Sequence, residues 1–180
     1  MSAEITIRRF KEDDDPEVRK LFITVNRLLS KEILRGKGRN LRDAFEAYIE
    51  RALAEEIDRI TAYYGERKGG FWVAIEIDKL VGTFGLERAS PQGMELRRMY
   101  VHPSARRAGI ARQMLQFAED ECRRRGIFRL QLSTSEFQSA ALTLYRNAGY
   151  KLLREEAAEI RSHKTVGAGI RRYYFEKALR

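Results

Sequence analysis

Apolar residues recur along this chain at two different spacings, and the switches between them mark its elements. Over residues 4–10, Ile5 and Ile7 alternate with polar neighbours, the period of a half-buried strand. Asp13-Asp14-Asp15-Pro16 then sets acids ahead of a proline, a helix-start signature. Val18, Leu21, Phe22, Val25, Leu28 and Leu29 follow as one apolar face of that helix. Gly36 and Gly38 break the pattern. A second, long helix is predicted over about residues 41–64, with Phe45, Ile49, Leu53, Ile57 and Ile60 on its face and Gly65 at its end.

Residues 70–75 and 80–84 read as two strands joined by a tight Asp78-Lys79 turn, antiparallel by hairpin logic. Residues 95–101 form a fourth strand. A helix follows over about residues 108–125, closed by Gly126, with Ala111, Met114, Leu115, Ala118 and Cys122 on one face. Residues 129–134 give a short fifth strand and residues 139–148 a helix ending at Gly149. Residues 150–155 and 170–175 are the sixth and seventh strands. Neither a repeat nor a linker interrupts this series. It predicts a single domain over residues 1–180 of the α+β class, a mixed, mainly antiparallel seven-stranded sheet with helices on both faces.

Composition narrows the classes of function. Thirty-five Lys and Arg against 26 Asp and Glu leave a net charge of +9, which raises the question of nucleic acid. The arginines are spread along the whole length, however, and no nucleic-acid-binding motif accompanies them, so such binding is not expected. No run of about eighteen apolar residues predicts a membrane span, and Arg8, Arg9 and Lys11 interrupt any apolar leader. The single cysteine excludes an internal disulfide and fits a reducing cytoplasm. Its place on an apolar helix face makes Cys122 a core residue. Two separated histidines, His102 and His163, give no metal site.

The densest chemical signal is the junction between the fourth strand and the helix after it, Val101-His102-Pro103-Ser104-Ala105-Arg106-Arg107-Ala108-Gly109-Ile110-Ala111. Small residues in the first helical turn leave backbone N–H groups sterically open, and the helix dipole adds partial positive charge there. Arg106, Arg107 and Arg112 bring three more positive charges, so the junction suits a pyrophosphate. It is neither the triphosphate loop G-x-x-x-x-G-K-[ST] nor the dinucleotide loop G-x-G-x-x-G. An ordinary strand-to-helix turn with a solvated basic face is the bland alternative.

About thirty residues on comes Gln138-Ser139-Ala140-Ala141-Leu142-Thr143-Leu144-Tyr145-Arg146-Asn147-Ala148-Gly149-Tyr150. Together the two segments resemble the GNAT superfamily of acetyl-coenzyme A-dependent N-acetyltransferases. The first matches the family's V-x-P-x-x-[RQ]-x-x-G-x-[GA] loop throughout. The second matches its N-x-x-A-x-x-L-Y-x-x-x-G-[FY] block except where Gln138 replaces the usual asparagine. The resemblance spans roughly residues 72–179, and implies that strands four and five run parallel and splay apart to admit the pantetheine arm. It implies acetyl transfer from acetyl-CoA to a primary amine of a small molecule or peptide, by direct attack through a tetrahedral intermediate. Backbone groups of Met99 and Val101 would meet the pantetheine amides, and the N–H of Tyr100 or Val101 the oxyanion. Arg106, Arg107, Ala108, Gly109, Ile110, Ala111 and Arg112 would form the pyrophosphate cradle. Tyr145 takes the general-acid or hydrogen-bond-donor position at the departing sulfur. Gln138 would reach the pantetheine less well than asparagine, because its extra methylene displaces the amide.

Glu95 stands where some relatives, including histone acetyltransferases, place a catalytic glutamate, and is the candidate general base; an ion pair with Arg97 or another basic residue, or proton removal through water, are the alternatives. Strand alternation sets Glu95 on the side of Arg97, Met99 and Val101 unless a bulge intervenes. The resemblance places the acceptor groove at about residues 25–40 and 157–168, where Arg161, His163 and Lys164 suggest a basic rim suited to a carboxylate-bearing amine. Transfer of another acyl group, or an acyl-CoA-binding regulatory domain, would use the same cradle. A homodimer is compatible with the sequence, and no metal is expected.

Overall fold

The computed structural model describes residues 4–33, 35 and 39–180; the break at Gly36 and Gly38 lies outside them. Its seven strands are β1 Ile5–Arg9, β2 Gly70–Glu76, β3 Lys79–Ser90, β4 Gly93–Val101, β5 Arg129–Ser135, β6 Lys151–Ala158 and β7 Ile170–Ala178. They form one sheet in the order β1-β2-β3-β4-β5-β7-β6. Neighbours are antiparallel except β4 and β5, which run parallel. Helices α1 Asp15–Ile33, α2 Arg39–Glu55 and α3 Ile60–Glu66 precede β2, while α4 Ile110–Arg124 and α5 Ser139–Asn147 flank β5.

Both faces of the sheet are covered. Met114, Leu115, Ala118 and Cys122 of α4 pack with Trp72, Phe84, Met94 and Leu130 on one face. Val18, Phe22, Ile49, Leu53 and Tyr64 pack with Phe71 and Val73 on the other. Successive β2 side chains thus serve opposite cores, which is why that strand reads as an unbroken apolar run. At Gly85 of β3 the Tyr64 ring lies so close that an added Cβ would stand 2.5 Å from it, so only glycine admits the aromatic there.

Three departures from the sequence pattern have physical causes. The hairpin turn is Ile77-Asp78, one residue earlier than expected, with both residues at left-handed φ values of 45° and 61° and Glu76 paired to Lys79. Strand β3 continues to Ser90 rather than ending near Phe84. Its second half hides because Glu87 and Arg88 are charged, yet it pairs with β4 from Gly93 to Arg97. Most consequentially, the long second helix is two helices. It breaks at Glu56, whose φ of −136° and ψ of −62° take it out of helical geometry.

The break turns Glu56 inward, where it is fully buried. Its carboxylate accepts from Arg97 NH2 at 2.9 Å, from Arg98 Nε at 3.0 Å and NH2 at 2.7 Å, and from the Tyr64 hydroxyl at 2.6 Å. Two consecutive strand residues normally point to opposite faces. Arg97 and Arg98 both reach Glu56 because β4 carries a bulge: Gly85 pairs with Arg97 and Thr83 with Tyr100, so Phe84 faces both Arg98 and Met99. Arg98 has a φ of 52°, a strained value for a side chain of this size. Its displaced carbonyl is taken up by the Thr83 hydroxyl at 2.9 Å. The bulge also reverses the later alternation, so Tyr100 packs among the α1–α3 residues while Met99 and Val101 join the α4 side.

Burial alone would raise the Glu56 pKa, but Arg98 and Arg97 outweigh it and hold the carboxyl at about 2, against an ordinary 4.5. A depressed carboxylate contributes stability that is complete above its unfolded pKa and lost as pH falls through its folded one. Acid unfolding should therefore develop as pH drops from about 4.5 toward 2. Glu56→Ala should remove about 3–5 kcal/mol at neutral pH, since it leaves two arginines buried without their anion. Denaturant titration of parent and variant across pH checks both outcomes.

Candidate active site

Strands β4 and β5 pair only at Gly93 with Arg129, Met94 with Leu130 and Glu95 with Gln131. Beyond Glu95 the two diverge, although β4 continues to Val101 and β5 to Ser135. The gap opens a cavity of about 210 Å³ that passes between the faces of the sheet, lined by Glu95, Met99, Tyr100, Gln138, Tyr145 and Lys164 among others. His102 N–H donates to Val81 O at 2.7 Å on β3. Alternation along β4 then directs the peptide groups of Tyr100 to β3, and those of Met99 and Val101 to the edge that β5 leaves free.

The loop after β4 reaches α4 through a short 3₁₀ turn, Pro103–Ala105. Helix α4 starts at Ile110, two residues later than predicted. Gly109 stands before it at φ 76° and ψ 7° as the N-cap. That left-handed geometry favours glycine, and nothing lies within 4 Å of where a Cβ would sit. The amides of Arg107, Ala108, Gly109, Ile110 and Ala111 donate to no carbonyl of the loop. Arg106, Arg107, Ala108, Gly109 and Arg112 are exposed, whereas Ile110 points its side chain into the core. None of the three arginines takes part in an ion pair among the described residues. The result is an open basic concavity at a helix N-terminus, chemically matched to a phosphorylated ligand.

Tyr145 projects from α5 between Tyr150 and Phe175, with ring centroids at 5.9 and 6.2 Å. It is a core ring and a cavity-lining group at once. Burial, with a smaller push from Tyr100, raises its pKa above the ordinary phenol value, so the hydroxyl keeps its proton at neutral pH. Gln138 sits at the N-terminus of α5 with its carbonyl oxygen accepting from Thr134 Oγ1 at 2.8 Å and from Ser135 N–H at 3.3 Å. A backbone donor on that atom fixes it as the oxygen, and leaves the amide NH2 as the group on offer.

The bulge separates Glu95 from two residues expected beside it. Glu95 shares its side of the sheet with Arg97, Arg98 and Tyr100, whereas Met99 and Val101 face the other way. Its carboxylate accepts from Lys164 Nζ at 3.2 Å, not from Arg97. Lys164 lies on the segment between β6 and β7 and also donates to Glu87, the cross-strand partner of Glu95. His163, next to it, bridges Glu55 at 2.9 Å and the Tyr63 hydroxyl at 3.0 Å. Burial and the charge of Arg97 lower the His163 pKa below its ordinary value. Lys164 is thus paired with two carboxylates and His163 is held toward its neutral form, so the rim is much less basic than the sequence implies. Asn26 and Leu29 of α1, Phe45 and Tyr48 of α2, and Thr165 and Val166 complete this side of the cavity. Sequence patterning gave no signal for Glu87, which sits in a strand half it did not resolve.

No group of three or more His, Cys, Asp or Glu that could hold a metal occurs among the described residues, and no described helix is long and apolar enough to cross a membrane.

A parallel strand pair that parts over a cavity, followed by an open basic loop at a helix N-terminus, fits an acyltransferase. The model of the acetyltransferase (GNAT) family matches residues 39–150, more than half of the chain, and the chain belongs to that family. "Probable N-acetyltransferase 14" of Xenopus tropicalis is 37% identical over 101 residues, covering 54% of this chain and 48% of its own length. The chain spans about half the length of the curated relatives it matches. Among solved structures, an acetyltransferase of the GNAT family from Staphylococcus aureus Mu50 superposes with a TM-score of 0.73 at 19% identity, covering 98% of this chain and 100% of that one. The structure of yncA from Salmonella typhimurium with its cofactor acetyl-CoA gives 0.70 at 18% identity, over 99% and 95% of the two chains.

Cys122 takes no part in this site. It is fully buried under α4, and burial pushes its thiol up to about 12. Iodoacetamide should leave the folded protein unlabelled at neutral pH and alkylate Cys122 only after unfolding, read as a mass increment on the intact chain.

Proposed function

We propose that this chain transfers an acetyl group from acetyl-CoA to a primary amine. The observation that carries the reading is the pair of open features at one end of β4: peptide groups of Met99 and Val101 on an edge without a partner strand, and the unpaired amides and arginines from Arg106 to Arg112. A pantetheine arm offers amides to the first, and a pyrophosphate offers charge to the second. Bound there, acetyl-CoA supplies an activated carbonyl.

The residues then divide the work by face. Val101 N–H, turned to the open edge, is the donor for the charge that builds on the carbonyl oxygen, whereas the Tyr100 amide is turned to β3. Glu95 is on the α1–α3 side and receives the acceptor's proton, directly or through water. Tyr145 is on the α5 side, where the sulfur departs. Its raised pKa makes full proton transfer to a thiolate unfavourable, so it works by donating a hydrogen bond that stabilises the developing charge. The amine nitrogen bonds to the carbonyl carbon, the carbon–sulfur bond breaks, and the amine's proton leaves through Glu95 to solvent. The departing thiolate takes a proton from solvent, so the products are an amide and the free thiol of CoA.

Two variants test the reading. Gly109→Trp should abolish acetyl-CoA binding in calorimetry while far-UV circular dichroism stays native, because the indole would occupy the concavity; unchanged affinity would sink the cradle. Tyr145→Phe should keep cofactor affinity within a few-fold and lower turnover about 10²-fold, since the ring still packs between Tyr150 and Phe175 and only the hydroxyl is lost. Turnover within about two-fold of the parent, with chemistry limiting, would make Tyr145 a packing residue.

A further inference from the structure

Three carboxylates and three cations make up the polar cluster behind β4: Glu56, Glu87 and Glu95 with Arg97, Arg98 and Lys164. The two arginines are fixed, with side chains 5% and 4% exposed and their charge directed at Glu56. Lys164 differs in every respect. Its side chain is 39% exposed, it comes from a loop, and it lines the cavity. The loop is anchored independently of the lysine head, through the Arg98 guanidinium donating to His163 O at 2.5 Å.

The site beneath the lysine head is built to hold a cation. Glu87 is buried, with the Tyr63 hydroxyl on Oε2 at 2.8 Å, while Oε1 faces Lys164. Burial would raise the Glu87 pKa, but Arg97 and Lys164 keep it ionised. Arg97 itself stands 3.6 Å from Glu87, and Arg67 is at 3.9 Å, so neither makes a close bond to it. Removing the lysine would leave a mostly buried carboxylate without its closest cation, beside a second carboxylate. Such a pair recruits the next ammonium available.

We propose that the Glu87–Glu95 pair is the ammonium subsite of the acceptor, and that Lys164 fills it from within in the free protein. The acceptor is then a primary ammonium on an unbranched alkyl chain, the shape of the side chain it displaces. This rests on Glu95 receiving the acceptor's proton in the reading above. Displacement sets the ammonium against the group that takes its proton, and the same cluster discriminates against amines that carry a carboxylate near the nitrogen. Internal competition weakens acceptor binding by the fraction of time that Lys164 occupies the pair.

Chemical rescue tests this without knowledge of the natural acceptor. Lys164→Ala should melt below the parent, and n-butylammonium chloride should restore its melting temperature while hardly moving the parent's. Tetramethylammonium chloride, which has no N–H to donate, should restore neither. Lys164→Met, which keeps the methylenes over the cavity, serves as the second variant and should respond in the same direction. With acetyl-CoA present, both variants should release CoA with n-butylamine about tenfold faster than the parent at subsaturating amine. Equal stabilisation of parent and variants by n-butylammonium, rescue by tetramethylammonium, or CoA release no faster than the parent's overturns the subsite. Calorimetry of the same proteins with acetyl-CoA separates this from a failed cradle, because Lys164 touches none of the cradle residues.

Discussion

A single buried carboxylate, Glu56, shapes the strand on which the rest of the molecule depends. Burying one anion against two adjacent arginines is costly unless every partner is in register. Register here demands that neighbouring residues of β4 point the same way, which an unbroken strand forbids. The chain meets the demand twice: the helix ahead of β2 breaks to deliver Glu56, and β4 bulges at Arg98 to deliver the second guanidinium. The strained φ at Arg98 is held by three interactions around it, with Glu56, with the Tyr48 hydroxyl, and with Thr83 through the displaced carbonyl. Local strain is thus offset by a fully bonded polar network.

That bulge decides what faces the gap. Met94 and Leu96 pack on the α4 side and so set Glu95 on the opposite face; without the bulge, Met99 and Val101 would turn to that same face as Glu95. With it, the carboxylate stands on the α1–α3 side while the residues whose peptides face the open edge turn their side chains the other way. The Glu95 carboxylate and the Tyr145 hydroxyl are therefore kept on opposite sides of one cavity. In the function proposed above, the two groups act on different substituents of a tetrahedral carbon, Glu95 at the incoming nitrogen and Tyr145 at the departing sulfur.

The order of elements, the cradle and α5 were legible in the sequence because each is a local signal. Apolar period, a proline turn, a small residue at a helix start and a tyrosine two turns into a helix all declare themselves within about a dozen residues. Glu56 did not, because it sits inside an otherwise unbroken helical period and its partners lie some forty residues on. The second half of β3 was hidden for a related reason: Glu87 and Arg88 read as solvated charges, yet Glu87 is one of the most enclosed acids in the chain. A buried ion pair is the arrangement that pattern arguments handle worst, since its residues carry the signature of surface.

The positive charge shows the same contrast from the other direction. Arg123, Arg124 and Arg125 are the most conspicuous basic run in the sequence, yet they are spent locally on Glu119, Asp120 and Glu121 within one or two helical turns. Arg106, Arg107 and Arg112 have no ion-pair partner among the described residues. The two ends of α4 therefore differ in kind. Cations at its C-terminus complement the helix dipole and are neutralised by neighbouring acids; cations at its N-terminus oppose the dipole and have no neighbour to relieve them. Unrelieved charge at the unfavourable end of a helix costs stability in the free protein and is recovered only when an anion arrives. In the function proposed above, the pyrophosphate of acetyl-CoA is the anion that relieves this charge.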